Sequence, residues 1–316
     1  MDKIVTLGEP MAMFVADQTG PLEEIDHFTK YLAGAEVNVC IGLKRLGHDV
    51  TYVTKLGKDP FGKYIQRTLE KEKIDTSYLS FDREYPTGFQ LKSKVESGDP
   101  DVVYFRKGSA ASHINTEDLR KVNLTETRHV HLTGIPLALS ESCRQAVYEF
   151  VESVKEQGLP LTFDPNLRPN LWKSPEMMVE TINRVAGQCD VVLPGIQEAE
   201  ILTGTRNLTA IGDFYIEKGV KTVIVKLGPE GAFVKTADQE FRVPGFRVDK
   251  VVDTVGAGDG FAVGVISGLI EGLPLREAVI RGNAIGALQV MTPGDNDGLP
   301  DRSSLERYLE TGEGVR

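Results

Sequence analysis

Cysteine, tryptophan and long apolar runs are scarce in this chain of 316 residues, which has three cysteines and one tryptophan. Cys40, Cys143 and Cys189 are far apart and form no CxxC pair, so we expect free thiols in a reducing compartment. No stretch approaches the roughly 18 apolar residues of a membrane span. The N-terminus lacks the apolar stretch of a signal peptide. We therefore expect a cytoplasmic protein without a membrane partner.

An excess of basic residues is also missing, since the net charge is −10. Phosphate backbones are bound by basic faces, so nucleic acid is not the expected partner. An anionic small ligand remains possible, because one local pocket can be positive on an acidic protein. No GKS or GKT sequence is present, which excludes a Walker A loop.

Short apolar runs alternate with longer helical patterns along most of the chain. This alternation predicts right-handed βαβ units and a mostly parallel sheet covered by helices. The predicted strands are Ile4–Leu7, Val50–Thr54, His129–Leu132, Leu161–Phe163, Val191–Leu193 and Thr222–Lys226. The predicted helices are Val37–Leu46, Gly62–Glu72, Ser142–Gln157, Pro175–Ala186 and Ile196–Thr203.

Two regions, about 10–33 and 85–107, break this pattern. They carry alternating residues typical of exposed antiparallel strands, and Gly98-Asp99-Pro100-Asp101 indicates a turn within the second region. We expect these regions to form a small β-sheet lid over a pocket. Because no Pro/Ser-rich linker divides the chain, the lid would be part of one domain spanning residues 1–316.

The segment from Val252 to Phe261 carries the clearest chemistry. Gly256, Ala257 and Gly258 allow backbone N–H groups to approach an anion closely at the start of an apolar helical run. Asp259 would face that anion hole and accept a hydroxyl proton, for which a carboxylate of ordinary pKa suffices. The alternative is a glycine-rich helix cap with Asp259 as a surface acid. A dinucleotide-binding fingerprint fits less well, because the spacing is GxGxG near the C-terminus.

The segment Asp253–Asp259 resembles the D-T-x-G-A-G-D signature of the ribokinase-like (PfkB-type) carbohydrate kinases. Ala33–Cys40 resembles the N-terminal signature of that family, followed by Gly47 and Gly57 at matching spacing. The resemblance covers essentially the whole chain. It implies a doubly wound α/β core of ribokinase-like fold with a small β lid, and ATP and Mg²⁺ as cofactors.

On the sugar side, the sequence Val103–Ser112, together with Gly8–Met11, resembles 2-keto-3-deoxygluconate kinases. Tyr104 and Arg106 alternate onto one face of the predicted lid strand, and a hydroxyl with a guanidinium suits a carboxylate-bearing ligand. The resemblance implies a substrate shell of Gly34, Asn38, Phe89, Tyr104, Arg106, Arg168 and Asp259. Phe89 stands where some relatives have Tyr. The alternative for Tyr104 and Arg106 is an exposed strand face at a subunit contact.

On the nucleotide side, the turn from Lys226 to Ala232 follows a predicted strand. The resemblance implies ATP contacts from Asn166, Lys226, Gly228, Gly231, Gly256, Gly258 and Asn283. The turn is equally compatible with a plain β-hairpin, and Asn283 with close helix packing.

The family often shows N-x-x-E after a core strand, associated with Mg²⁺ and phosphate. Here Glu198 is kept, but Gly195 occupies the Asn position. Mg²⁺ keeps several waters and is held mostly by nucleotide phosphates. We therefore expect Glu198 to act on the metal through water.

Two further groups of polar residues lie outside these motifs. His129 and His131 alternate on a predicted core strand and are expected to be hydrogen-bonded strand residues rather than metal ligands. Asp295 and Asp297 resemble part of a calcium loop, but no closing Glu follows, so a turn near the active site is expected.

Together these features predict ATP-dependent phosphorylation of a sugar acid, with 2-keto-3-deoxygluconate and its 6-hydroxyl as the expected acceptor. The alternatives are a fructokinase or other neutral-sugar kinase, a non-catalytic sugar sensor and, more distantly, a NAD-binding oxidoreductase. Because the lid would expose strand edges, we also expect a homo-oligomer that pairs through the lid.

Overall fold

The computed structural model describes residues 3–95, 100–292 and 294–312, and within them the strands form two sheets. In chain order the strands are β1 (Lys3–Leu7), β2 (Met11–Thr19), β3 (Phe28–Ala33), β4 (Asp49–Gly57), β5 (Leu79–Asp82), β6 (Phe89–Lys94), β7 (Val102–Phe105), β8 (Thr127–Thr133), β9 (Leu161–Asp164), β10 (Val191–Val192), β11 (Thr222–Lys226), β12 (Ala232–Thr236) and β13 (Glu240–Val243).

The larger sheet has nine strands in the order β13-β12-β11-β10-β9-β8-β1-β4-β5. Strands from β11 to β5 pair in parallel, and the β11-β12 and β12-β13 pairs are antiparallel. The strand order reverses beside β1, which lies between β4 and β8. In doubly wound sheets, ligands bind outside the carboxyl ends of the strands at such a reversal.

Helices cover both faces of this sheet. In chain order they are α1 (Ala35–Arg45), α2 (Pro60–Lys71), α3 (Thr116–Arg120), α4 (Ile135–Leu139), α5 (Glu141–Glu156), α6 (Pro175–Ala186), α7 (Ile196–Thr203), α8 (Leu208–Ile216), α9 (Ala257–Ile270), α10 (Leu275–Gln289) and α11 (Arg302–Thr311). Short 3₁₀ helices are Leu22–Glu24, Ala110–His113, Pro169–Leu171 and Gly228–Glu230.

Alternate residues of β1 serve two separate cores. Ile4 packs into the core that contains residues of α1, α9 and α10. Val5 and Leu7 pack into the core that contains residues of α5, α6 and α8. A strand buried on both faces reads as a continuous apolar run, which is why the sequence pattern identified it.

The small sheet has four strands in the order β3-β2-β6-β7. It occupies the two regions predicted to form a lid. The β2-β3 and β6-β7 pairs are antiparallel, but β2 and β6 pair in parallel, so the expectation of purely antiparallel strands is wrong. The predicted turn at Gly98-Asp99 lies outside the described residues.

The core elements predicted from the sequence are confirmed, with boundaries that differ by a few residues. Pro175–Ala186 and Ile196–Thr203 agree at both ends. The three cysteines are free and buried. Within the described residues, no helix is long and apolar enough to cross a membrane.

Candidate active site

A cavity of about 390 Å³ lies between the small sheet and the carboxyl ends of the core strands. The core contributes Asp164 from the end of β9, Lys226 from the end of β11 and the first turn of α9. The small sheet contributes residues of β6 and β7. The location matches the crevice that the strand-order reversal predicts.

The turn before α9 forms an anion-binding end of this cavity. Gly256 caps the helix with a φ of 81°, and a side chain there would clash with the Asp295 carbonyl oxygen. The first turn of a helix leaves backbone N–H groups without intrahelical partners, and its dipole favours negative charge there. A Cβ atom at Gly258 would lie 3.4 Å from Nζ of Lys226, so an ammonium group reinforces the same position.

Asp259 lies in the first turn of α9 and is 9% exposed. Its Oδ2 accepts a hydrogen bond of 2.8 Å from Nδ2 of Asn38, and its Oδ1 one of 3.4 Å from Nδ2 of Asn166. Burial raises the pKa of Asp259 to about 7, although the Asn38 hydrogen bond opposes that rise. A carboxyl group with this pKa is well matched to accept a proton at neutral pH.

A buried ion pair supports the anion-binding end from the neighbouring strands. Nζ of Lys226 lies 2.5 Å from Oδ2 of Asp164, which is 1% exposed. The Asp164 charge, among others, holds the pKa of Lys226 above its ordinary value against the opposing effect of burial. Asn166 follows with a φ of 38°, and its N–H donates to Oδ1 of Asp164. Lys226 therefore remains charged beside the helix start.

Arg106 and Arg168 bring guanidinium groups to the cavity. Arg106 is 6% exposed and paired with the buried carboxylate of Glu9, to which its Nε donates over 2.7 Å. Ser109 also donates to Glu9. Nη1 of Arg168 donates to the Leu167 carbonyl oxygen. Glu9 lies between β1 and β2, two residues after the end of β1.

Comparisons with known proteins agree with this geometry. The model of the pfkB family carbohydrate kinases matches residues 1–302. The chain is 50% identical over 306 residues to the 2-dehydro-3-deoxygluconokinase of Bacillus subtilis (strain 168), covering 96% of this chain and 94% of that protein. The chain belongs to the pfkB family of carbohydrate kinases.

Two crystal structures of other proteins show the same fold. A PfkB protein from Polaromonas sp. JS666 is 44% identical, with a TM-score of 0.88 over 97% of this chain and 99% of that one. The aminoimidazole riboside kinase from Salmonella enterica, complexed with aminoimidazole riboside and an ATP analogue, is 26% identical. Its TM-score is 0.86 over 98% of this chain and 100% of that one.

Most of the substrate shell that the family resemblance implied lies in one place. The cavity is lined by Gly34, Asn38, Tyr104, Arg106, Arg168 and Asp259. Gly34 has a φ of 137°, and a Cβ atom there would lie 2.7 Å from the Glu9 carbonyl oxygen. Asn38 is already engaged, since its Oδ1 accepts from Asn296 over 3.1 Å while its Nδ2 donates to Asp259. A side chain is therefore excluded at Gly34, whereas Asn38 is fixed by the protein.

The structure corrects the expectation for Phe89. Its ring stacks on Phe105 at a centroid distance of 4.6 Å and contacts Phe14 and Phe61. Phe89 is absent from the described cavity lining, whereas the next residue, Gln90, is present. Successive side chains of a strand point to opposite faces, so Phe89 belongs to the outer face of the small sheet.

Sequence reasoning missed Glu9, Gln90, Lys92 and Asp164 as lining residues. Gln90 pairs with Tyr104 across β6 and β7, and Lys92 pairs with Val102. Residues directly opposite in two strands share a face. Because Tyr104 faces the cavity, the register of β6 against β7 would also have identified Gln90 and Lys92.

The nucleotide-side predictions divide into two groups. Asn166, Lys226, Gly256 and Gly258 line the cavity. Gly228, Gly231 and Asn283 do not contribute to its described lining. Gly228 begins and Gly231 follows a 3₁₀ turn inside the antiparallel β11-β12 hairpin, and Asn283 donates to the carbonyl oxygens of Val243 and Pro244. Their contact with ATP remains a prediction.

Glu198 lines the cavity, but both of its carboxylate oxygens already accept hydrogen bonds from backbone N–H groups. Its Oε2 accepts from the Gly195 N–H and its Oε1 from the Leu167 N–H, each over 2.7 Å. No group of three His, Cys, Asp or Glu side chains that could hold a metal ion occurs in residues 3–95, 100–292 and 294–312. A contact between Glu198 and Mg²⁺ through water therefore remains a prediction.

Two secondary expectations are confirmed. His129 and His131 are buried on β8 and share hydrogen bonds with Oγ1 of Thr162, and burial lowers the pKa of each to about 3. They are neutral strand residues. Asp295 lies in a turn that lines the cavity.

Proposed function

We propose that this carbohydrate kinase transfers the γ-phosphoryl group of ATP to the terminal 6-hydroxyl of 2-keto-3-deoxygluconate, also named 2-dehydro-3-deoxygluconate. One observation carries the proposal. A buried carboxyl group with a raised pKa, Asp259, lies at a helix N-terminus in a cavity that also holds Arg106 and Arg168. The name of the Bacillus subtilis relative supports the choice of sugar acid.

In this proposal the end of the cavity beside α9 carries out phosphoryl transfer, and the end beside the small sheet binds the sugar acid. The acceptor hydroxyl gives its proton to Asp259 as its oxygen forms a bond to phosphorus and the bond to the ADP oxygen breaks. The Gly256–Gly258 amides and the Lys226 ammonium stabilise charge on the transferred group. When bound, Mg²⁺ would neutralise phosphate charge, and Glu198 would contact it through water.

Tyr104, Arg106 and Arg168 would hold the substrate carboxylate, with Gly34 and Asn38 beside the sugar. A charge-assisted hydrogen bond of this kind contributes about 1.5–3 kcal/mol. Residues 1–316 would form one kinase domain. The small sheet β3-β2-β6-β7 would be the lid of this domain. The free cysteines of the chain suit a cytoplasmic location.

An ATP-consumption assay across a panel of sugars and sugar acids tests the proposal. The expected kcat/KM for 2-keto-3-deoxygluconate exceeds those for the neutral sugars fructose and ribose by at least about 100-fold, the size of two charge-assisted contacts. A higher kcat/KM for fructose would contradict it. A protein that binds sugars without consuming ATP would be a sensor instead.

A neutral-sugar kinase is the second candidate, because Glu9 already neutralises Arg106. A neutral acceptor would then leave that ion pair undisturbed. The same panel decides between the two candidates, since such an enzyme would prefer fructose or ribose to any sugar acid.

We also propose that two copies pair through the outer face of the lid. Val103 is 44% exposed and Phe105 48% exposed on that face. Burying such side chains against a second copy would remove apolar surface from water. Light scattering should give twice the chain mass, and Phe105→Asp should shift it towards the monomer. A monomeric parent protein at micromolar concentration would contradict this proposal.

A further inference from the structure

Lys92 on β6 is a lid residue buried between two carboxylates of the core. Its Nζ lies 2.6 Å from Oδ2 of Asp253 and 3.1 Å from Oδ1 of Asp295. The three side chains are 3%, 10% and 6% exposed, respectively. The family resemblance assigned no role to Lys92, and the proposed reaction does not use it.

Both carboxylates belong to segments that shape the anion-binding turn. Oδ1 of Asp253 accepts a hydrogen bond of 3.0 Å from the Val255 N–H, one residue before Gly256. Asp295 packs its backbone carbonyl against Gly256, leaving no room for a side chain there. The conformation of the turn that presents the Gly256–Gly258 amides therefore depends on where these two aspartates sit.

The electrostatics of this cluster require a cation. Two neighbouring buried carboxylates repel each other, and removing the cation from a buried ion pair leaves an uncompensated charge. The charges of Asp295 and Asp253 raise the pKa of Lys92, outweighing the effect of burial, so the amine stays protonated. That cation is carried by the lid, whereas both carboxylates belong to the core.

We propose that Lys92 is a positioning residue for phosphoryl transfer: its ammonium group holds Asp253 and Asp295, and through them the anion-binding turn. The anion hole is then complete only when the lid is seated. Sugar that binds Tyr104 and Arg106 on the lid thereby helps to order the phosphate end of the cavity. This inference rests on the proposed function and extends it to communication between the two ends.

The test compares Lys92→Ala with the matched variant Lys94→Met. Lys94 lies on the same strand but is exposed and donates to the Asp17 carbonyl oxygen over 3.0 Å. Lys92→Ala should lower kcat by about 10–100-fold, as expected for a misplaced anion hole, and change the KM of the sugar by less than about threefold. Lys94→Met should keep the parent kcat.

A chemical rescue separates this role from a merely structural one. Ammonium or methylammonium should restore at least about a tenth of the parent kcat to Lys92→Ala with saturation, because either cation can enter between the two carboxylates. The parent enzyme should not respond. A Lys92→Ala enzyme with parent kcat, or a folded one without rescue, would overturn the inference.

Should Lys92→Ala fail to fold, Lys92→Gln and Asp253→Asn decide the matter. Each should lose at least about tenfold in kcat, since each removes the ion pair between Lys92 and Asp253 that positions the turn. Parent kcat in either variant would overturn the inference. The kcat of each variant is compared with that of the parent enzyme, using the best sugar of the panel. A different best substrate would therefore refute the proposed function but leave the role of Lys92 unaffected.

Discussion

The two walls of the cavity differ in where their polar groups find partners. On the core wall, Asp259 bonds to Asn38, and Lys226 to Asp164, all within the core. On the lid wall, Arg106 bonds to Glu9, and Lys92 to Asp253 and Asp295, so these two lid cations are held by core carboxylates. The side chains of Asp259 and Lys226 are held by core residues alone, whereas the lid wall and, through Lys92, the anion-binding turn depend on contacts across the cavity.

The largest loss of kcat is expected for Asp259→Asn, a substitution on the core wall. The variant should fold and lose about 1,000-fold or more in kcat, because the acceptor hydroxyl loses its base. Steady-state kinetics measure the effect, and Asp238→Asn in the exposed β12-β13 turn is the control. A kcat within tenfold of the parent would remove Asp259 from the mechanism.

Arg106→Ala tests the lid wall and should have a smaller effect. With a sugar acid, kcat/KM should fall by about 10–100-fold through loss of a charge-assisted contact. With fructose it should change little. Because the substitution leaves Glu9 buried without its cation, the double variant Glu9→Gln/Arg106→Ala should be measured beside it. Equal losses for acid and neutral sugars would assign Arg106 a structural role only.

The pH dependence of kcat should reflect the ionisation of Asp259 on the core wall rather than that of a lid residue. Asp259 must be ionised to accept a proton, and burial raises its pKa to about 7. Below that value kcat should fall about tenfold per pH unit, so activity at pH 6 should be near a tenth of the plateau above pH 8. A kcat that is constant from pH 5.5 to 8 would mean that Asp259 does not limit the reaction.

Phe89→Leu should have the smallest effect, because Phe89 packs on Phe105 on the outer lid face. The KM of the sugar should stay within about twofold, while thermal stability falls through loss of an aromatic contact worth about 1 kcal/mol. Tyr104→Phe, on the cavity face, is the comparison and should raise KM more. If Phe89→Leu raised the KM of the sugar more than Tyr104→Phe did, Phe89 would be a substrate-binding residue after all.

The core was predictable because its signals are local. Strands buried on both faces, such as β1 and β11, are short, mainly apolar runs. The small residues before α9 identified the anion-binding turn, and Asp259 followed from its place after them. These features need only neighbours in the sequence.

The lid was less predictable because its partners are distant. Arg106 bonds to a residue 97 positions away, and Lys92 to one 161 positions away. Phe89 and Tyr104 are both aromatic residues of alternating strands, so composition did not reveal which of them faces the cavity. That required the register of β6 against β7. The parallel β2-β6 pair likewise depends on the tertiary fold.

The most direct test of the central claim is a crystal structure with an unreactive ATP analogue and 2-keto-3-deoxygluconate bound. We predict the terminal phosphate within hydrogen-bonding distance of the Gly256–Gly258 amides, and the 6-hydroxyl within about 3 Å of an Asp259 oxygen. A terminal phosphate bound away from the start of α9, or a sugar hydroxyl out of reach of Asp259, would contradict the account.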